Sequence, residues 1–220
     1  MEPENQKAAE TQETLLDLVF ALGSLIEARD YFSGRHTGRI QKYCKLLSAE
    51  LGRGVYSSVI DEDFITLIHG ASALHDIGKA ALPDSILMKS SVPSEDEREI
   101  LMTHTTVGSN VIDHVMWKHP ESRFLRMARD MARSHHERWD GSGFPDSLMG
   151  ESIPLCARIL SLAKVYDAIR SNRSYAPSFP HDEAVRIIRD VVPSRFDPNV
   201  LNAFLNLSGE FDRIFAASQG

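Results

Sequence analysis

Cysteine is scarce in this 220-residue chain: there are two, Cys44 and Cys156, far apart and in apolar helical surroundings. That number and spacing argue against a disulfide framework and against a cysteine-based zinc site, so both read as buried thiols in a reducing compartment. No apolar run approaches the ~18 residues that a membrane span needs. The opening MEPENQKAAETQE is acidic and polar, unlike a signal peptide. Positive charge is in deficit: 24 Lys and Arg against 31 Asp and Glu give a formal charge of −7. Such a chain has no bulk attraction for nucleic-acid polymers or anionic membranes. Strand-period alternation and internal repeats are also missing. The expectation is a soluble, cytoplasmic protein built without β-structure.

Helical periodicity is abundant. Leu15, Leu18, Leu22, Leu25 and Ile26 recur at spacings of three and four, and Ile40, Tyr43, Cys44, Leu47 and Leu51 continue the pattern until Gly52 and Gly54 stop it. A third helix is expected over DEDFITLIHGASALHDIG, with acidic residues in its first turn, where they favour the helix dipole. Ser94 and Glu97 form a capping box ahead of one long helix toward Trp117. Further helices are expected over residues 121–136, after Pro154, over HDEAVRIIRDVV, and after Asp197 as N-cap with Pro198 in the first helical position. Residues 1–11 are expected as a flexible tail and residues 12–220 as one all-α domain.

Nine histidines are present, and their placement is more informative than their number. Neighbours on a helix point about 100° apart, so two adjacent ligands can grasp one ion from two sides or reach two ions. His75-Asp76 is one such doublet and His135-His136 another, while His36 and His104 stand singly on other helices. Imidazole with carboxylate suits iron, manganese, nickel or zinc. A carboxylate such as Asp76 can bridge two ions, and paired metals are a common way to cleave phosphoesters. His69, His114, His119 and His181 read as surface or satisfied core residues.

HDIGK (75–79), His104, HHERWDGSGFPDSLMGESIPLCARILSLAKVYDAI (135–169) and the later FDP (196–198) resemble the HD-GYP family. This is a bacterial branch of the HD metal-phosphohydrolases whose members typically hydrolyse cyclic di-GMP. The resemblance runs from about Leu15 to about Leu207. It implies a single bundle of about seven helices around two divalent metals. It also implies hydrolysis of cyclic di-GMP to pGpG and GMP by a metal-activated hydroxide. His36, His75 and Asp76 match the ligands of the first ion, with Asp76 bridging; His104, His135 and His136 match those of the second. Lys79 matches a lysine that contacts substrate phosphate, and it is expected one helical turn beyond His75. Arg158, Arg173 and Tyr175 lie in family-like contexts that support the site or the substrate. The loop around Phe144 is linked in the family to diguanylate-cyclase partners.

Three departures from the family pattern bear on function. Phe144 replaces the tyrosine of the namesake motif, which removes one hydroxyl worth about 0.5–1.5 kcal/mol as a neutral hydrogen bond. Phe32 replaces a glutamate that holds a third metal in some members. Lys164 stands where the family has an aspartate ligand to the first ion, a change of two charge units that leaves that site weakened or vacant. His36, His75 and Asp76 can still hold that ion at lower affinity with water in the open positions; another option is that a neutral Lys164 coordinates, or that its charge substitutes for the first metal. Asp167, three residues on, is not expected to replace the lost ligand. Three functions stay open on the sequence: a cyclic di-GMP phosphodiesterase, a catalytically inactive module that binds nucleotide or a signalling partner, and a phosphohydrolase acting on a related nucleotide. Homodimerisation through residues 12–30 is open as well.

Overall fold

The computed structural model describes residues 2–29, 35–171 and 178–218. These form eleven α-helical segments with no strand among the described residues. They are α1 (Glu2–Glu27), α2 (His36–Gly52), α3 (Glu62–Ala71), α4 (Asp84–Leu87), α5 (Glu95–Met102), α6 (His104–Met116), α7 (Arg123–Ser134), α8 (Leu155–Arg170), α9 (His181–Arg186), α10 (Pro198–Asn206) and α11 (Ser208–Ala217). No described helix is long and apolar enough to cross a membrane. Residues 2–11, expected as a tail, continue α1 as helical backbone.

The core lies between α2 and α8, with α3, α7, α10 and α11 packed around them. Ile40, Tyr43 and Leu47 of α2 and Ile159, Leu160, Leu162 and Tyr166 of α8 are fully buried. Burial of each such side chain contributes roughly 1.5–3 kcal/mol. Tyr43 stacks on Phe211 at 4.3 Å, and Tyr166 and Phe204 meet Phe211 edge-on at 5.2 and 5.0 Å. Cys44 and Cys156 are free and buried, and burial pushes the Cys156 thiol up to about 12, so neither is poised to react.

Side-chain caps set the starts of α3, α5, α7 and α10. The Asp61 carboxylate accepts from Phe64 N, Ser122 Oγ from Leu125 N, and Asp197 from Asn199 N with Pro198 next in line. Ser94 and Glu97 make the full capping box.

Two expected helices are divided instead. The helix ahead of His75 stops at Ala71 and gives way to 3₁₀ turns at Ser72–Leu74 and Ile77–Ala81. Lys79 therefore does not lie one α-turn beyond His75; its side chain reaches back three residues to Asp76. The reason is at Gly78. A Cβ there would sit 1.9 Å from the His104 carbonyl oxygen and 2.6 Å from Gly108 N, so only glycine lets this segment lie directly on α6. The long helix expected after Ser94 breaks at Thr103. There the Thr103 hydroxyl donates to Ile100 O, and the His104 ring binds Leu101 O, taking carbonyls that a continuing helix would use.

Candidate metal centre

His36 opens α2. Its backbone N–H and that of Thr37 donate to the two Glu27 carboxylate oxygens at 2.7 and 2.9 Å, and the Thr37 hydroxyl adds a third bond at 2.7 Å. Glu27, near the end of α1, is thus an anionic cap on α2. The His36 ring is held from behind: Nδ1 lies 2.6 Å from Asp167 Oδ2. Asp167 also accepts from Arg39 Nε at 2.5 Å and Nη2 at 2.9 Å. Burial opposes the Asp167 charge, but Arg39 and His36 outweigh it and hold the carboxyl below its usual range.

The remaining histidines are anchored through backbone carbonyls. His75 Nδ1 lies 2.6 Å from Ser72 O, His104 Nδ1 2.6 Å from Leu101 O, and His135 Nδ1 2.8 Å from Met131 O. A carbonyl can only accept, so each Nδ1 carries the proton and each Nε2 a lone pair, as in histidines oriented for metal binding. His136 stacks on Phe144 at 4.6 Å with 14° between the rings, so the phenyl ring buttresses a candidate ligand.

These rings converge on Asp76. His135 Nε2 and His104 Nε2 lie 3.3 and 3.5 Å from Asp76 Oδ1, and His75 Nε2 lies 3.1 Å from Oδ2. Two donor groups result: Asp76, His104, His135 and His136 form one, and His36, His75 and Asp76 the other, each with its ligand atoms within 4.8 Å of one another. The arrangement fits cations. His75 Nε2 is buried without a hydrogen-bond partner although a carboxylate oxygen is near, and the Nε2 atoms of His104 and His135 face each other at 3.4 Å. Opposed lone pairs at such distances are satisfied by an ion between them.

The electrostatics keep these donors in their binding form. Burial, with Lys164 close by, lowers His75 to about 4 despite Asp76, and burial with neighbouring cations holds His135 and His136 well below the usual imidazole range. Burial opposes the Asp76 charge, but His75, Lys164 and Lys79 outweigh it and keep the carboxyl well below its ordinary value. Two ammonium groups grip that carboxylate: Lys79 Nζ is 2.9 Å from Oδ2 and Lys164 Nζ 3.1 Å from Oδ1. A small cleft opens on the His36, His75, Asp76 and Lys79 side, walled by Gly23, Ile26 and Glu27.

The structure thus brings together His36, His75, Asp76, Lys79, His104, His135, His136, Phe144 and Lys164. Arg158, expected to reach substrate or support the site, is engaged elsewhere. Its Nη1 donates to Asp197 at 2.6 Å and to the Tyr56 hydroxyl at 3.0 Å, and its guanidinium lies over the Tyr56 and Trp139 rings. This ion pair is 9 % and 0 % exposed, and it ties the FDP segment to α8. Arg173, Tyr175 and Phe32 lie outside the described residues. Sequence reasoning passed over Glu27 and Arg39, and weighed Asp167 only as a substitute ligand, not as the anchor of His36. It also passed over Arg29, whose guanidinium binds the carbonyls of Lys79, Ala80 and Leu82 and pins the segment that carries Lys79. An available signal was the acidic residue one turn after Lys164, on the same face of α8.

Histidines from separate helices thus meet around one shared carboxylate in an all-α bundle, an arrangement that could hold metal ions. The chain matches the HD domain family over residues 22–200, and it belongs to that family. Its curated relatives include a cyclic di-GMP phosphodiesterase of Vibrio cholerae, 38% identical over 90% of this chain and 40% of the relative. Another, from Thermotoga maritima, carries the same name and is 34% identical over 94% of this chain and 53% of its own length. A 3'3'-cGAMP-specific phosphodiesterase of V. cholerae is 32% identical over 94% of this chain and 37% of its own length. The chain spans about half or less of the length of each of these. Among solved structures, the cyclic GMP-AMP specific phosphodiesterase V-cGAP3 of V. cholerae shares the fold with a TM-score of 0.62 at 22% identity, over 92% of this chain and 51% of that one. The HDG"Y"P protein Bd1817 from Bdellovibrio bacteriovorus gives a TM-score of 0.59 at 17% identity, over 78% and 51%. The HD-GYP resemblance of the sequence agrees with both sets.

Proposed function

We propose that this chain is a metal-dependent phosphodiesterase that opens cyclic di-GMP to linear pGpG and further to GMP. The observation that carries this reading is the convergence of five imidazoles on Asp76 beside the Lys79 ammonium. The names of the relatives supply the substrate class. The donor chemistry, imidazole with one carboxylate, suits iron, manganese, nickel or zinc. A bound ion would lower the pKa of a coordinated water and stabilise charge on phosphoryl oxygens. Burial keeps His75, His135 and His136 in the uncharged form, and the neighbouring cations keep Asp76 ionised. Lys79, at the cleft, offers fixed positive charge to a phosphodiester. The His36–His75 group is the weaker ion site, since Lys164 adds positive charge to the shared carboxylate and contributes no carboxylate of its own.

The test is turnover of cyclic di-GMP, with 3'3'-cGAMP and pGpG as comparison substrates, by purified metal-replete protein and by Asp76→Ala. Turnover that disappears in Asp76→Ala supports the reading. Binding of cyclic di-GMP without turnover at any metal loading refutes it in favour of a non-enzymatic nucleotide-binding module.

A second reading concerns assembly. Leu15, Leu18, Leu22 and Leu25 are 57%, 56%, 51% and 64% exposed on α1, while Gly23 and Glu27 face the bundle. Their 3-4-3 spacing is that of a and d positions in a coiled-coil seam, which matches a second copy of itself in register. We infer a homodimer through α1.

A further inference from the structure

We propose that the centre holds a single divalent cation, in the group of Asp76, His104, His135 and His136, with the Lys164 ammonium in place of a second ion on the shared carboxylate. The proposal rests on the metal-dependent reading above and specifies how many ions that reading requires.

Among the described residues, Asp76 is the one carboxylate common to the two donor groups and the only carboxylate in either. Asp167 faces the Nδ1 side of His36 and is committed to Arg39 through two hydrogen bonds. Glu27 is committed to the N-terminal backbone of α2. A single negative charge therefore already faces two ammonium groups, Lys164 on Oδ1 and Lys79 on Oδ2. Two dications would set four further positive charges against that one carboxylate in a largely buried site, whereas one dication sets two.

The donor sets decide which group keeps its ion. Asp76, His104, His135 and His136 supply three imidazoles and a carboxylate, enough for a four-coordinate ion. His36 and His75 supply two imidazoles and a share of Asp76. The further residue beside them, Lys164, has three N–H donors and no lone pair as an ammonium, so it cannot ligate. Lys164 is fixed in this position by α8. Three residues on, the same helix face carries Asp167, which grips His36, so the segment that orients His36 also delivers the ammonium to Asp76. The positive charge that a second ion would present to a phosphoryl oxygen is built into the chain.

Manganese(II) is the probe. The parent protein, Lys164→Asp and Lys164→Met are loaded with excess Mn(II), desalted, and counted by elemental analysis per chain. Electron paramagnetic resonance then separates isolated Mn(II) from a spin-coupled pair. The parent is expected to hold one Mn(II) with an uncoupled signal. Lys164→Asp is expected to approach two with a coupled signal, and Lys164→Met to fall between them, since it removes the charge without adding a ligand. Two ions in the parent, none in the parent, or a single ion in folded Lys164→Asp would each overturn the proposal. If Lys164→Asp does not fold, the parent count decides. Turnover of cyclic di-GMP is measured on the same samples: a one-ion parent that is inactive sinks the phosphodiesterase reading and leaves this one standing, and an active two-ion parent does the reverse.

Discussion

Asp167→Asn is the most informative single change outside the ligands themselves. The substitution keeps shape and one carbonyl acceptor but removes the charge that Arg39 and His36 share. Both members of the Arg39–Asp167 pair are essentially without solvent, at 2 % and 0 % exposure of the side chains. Breaking such a pair while leaving one charge behind costs about 3–5 kcal/mol. For a domain of this size that corresponds to a drop of roughly 6–20 °C in Tm. The His36 ring also loses its ionic anchor at Nδ1, so divalent-cation binding should weaken as well. Thermal unfolding of metal-free protein measures the first effect and metal titration the second. The double variant Arg39→Met with Asp167→Asn separates them: removing the stranded cation should recover much of the stability without restoring the His36 anchor. A Tm within about 2 °C of the parent, which is less than about 1 kcal/mol, would refute the buried ion-pair argument.

Gly78→Ala should destabilise the protein by roughly 1–3 kcal/mol or more, because the added carbon would meet the His104 carbonyl at 1.9 Å. Thermal unfolding should show the loss, and metal affinity should fall with the displacement of His104. Metal-free protein should lose stability on mild acidification. His75 is held at about 4 in the folded protein against about 6.5 unfolded, so between these values the unfolded chain binds the extra proton. Stability therefore falls as pH drops through that window, by on the order of 3 kcal/mol for His75 alone. His135 and His136 act with the same sign. A urea midpoint at pH 5 equal to or above that at pH 7 would contradict this. Leu18→Glu with Leu22→Glu, at exposed positions, should leave the fold intact and convert a dimer to a monomer in light scattering. A parent already monomeric at high concentration would end the α1 pairing.

The placement of the helices and of the donor side chains was legible in the sequence, since the interactions that signal them are local. Capping residues act within three positions, as Ser94 with Glu97 and Asp61 with Phe64 do, and apolar periodicity shows which face turns inward. The histidine doublets and the HDIGK segment stood out for the same reason: their residue types are costly to bury without a ligand or a partner. The engagement of Arg158 was not legible from its context, because its partner Asp197 is 39 residues away. The helix divisions at Ala71 and Thr103 were hidden because they depend on Gly78 lying against α6 and on the His104 ring occupying Leu101 O.

Composition, periodicity and capping by themselves determined an all-α chain, and the HD-GYP resemblance of its motifs pointed to a histidine–aspartate centre. The tertiary structure alone decided how that centre is charged and braced: Lys164 on Asp76, Asp167 behind His36, Gly78 against α6. These contacts join residues 88, 131 and 26 positions apart. Electrostatic pairing and close packing depend on distance in space, and no local pattern of residues encodes distances that arise only when separate helices meet.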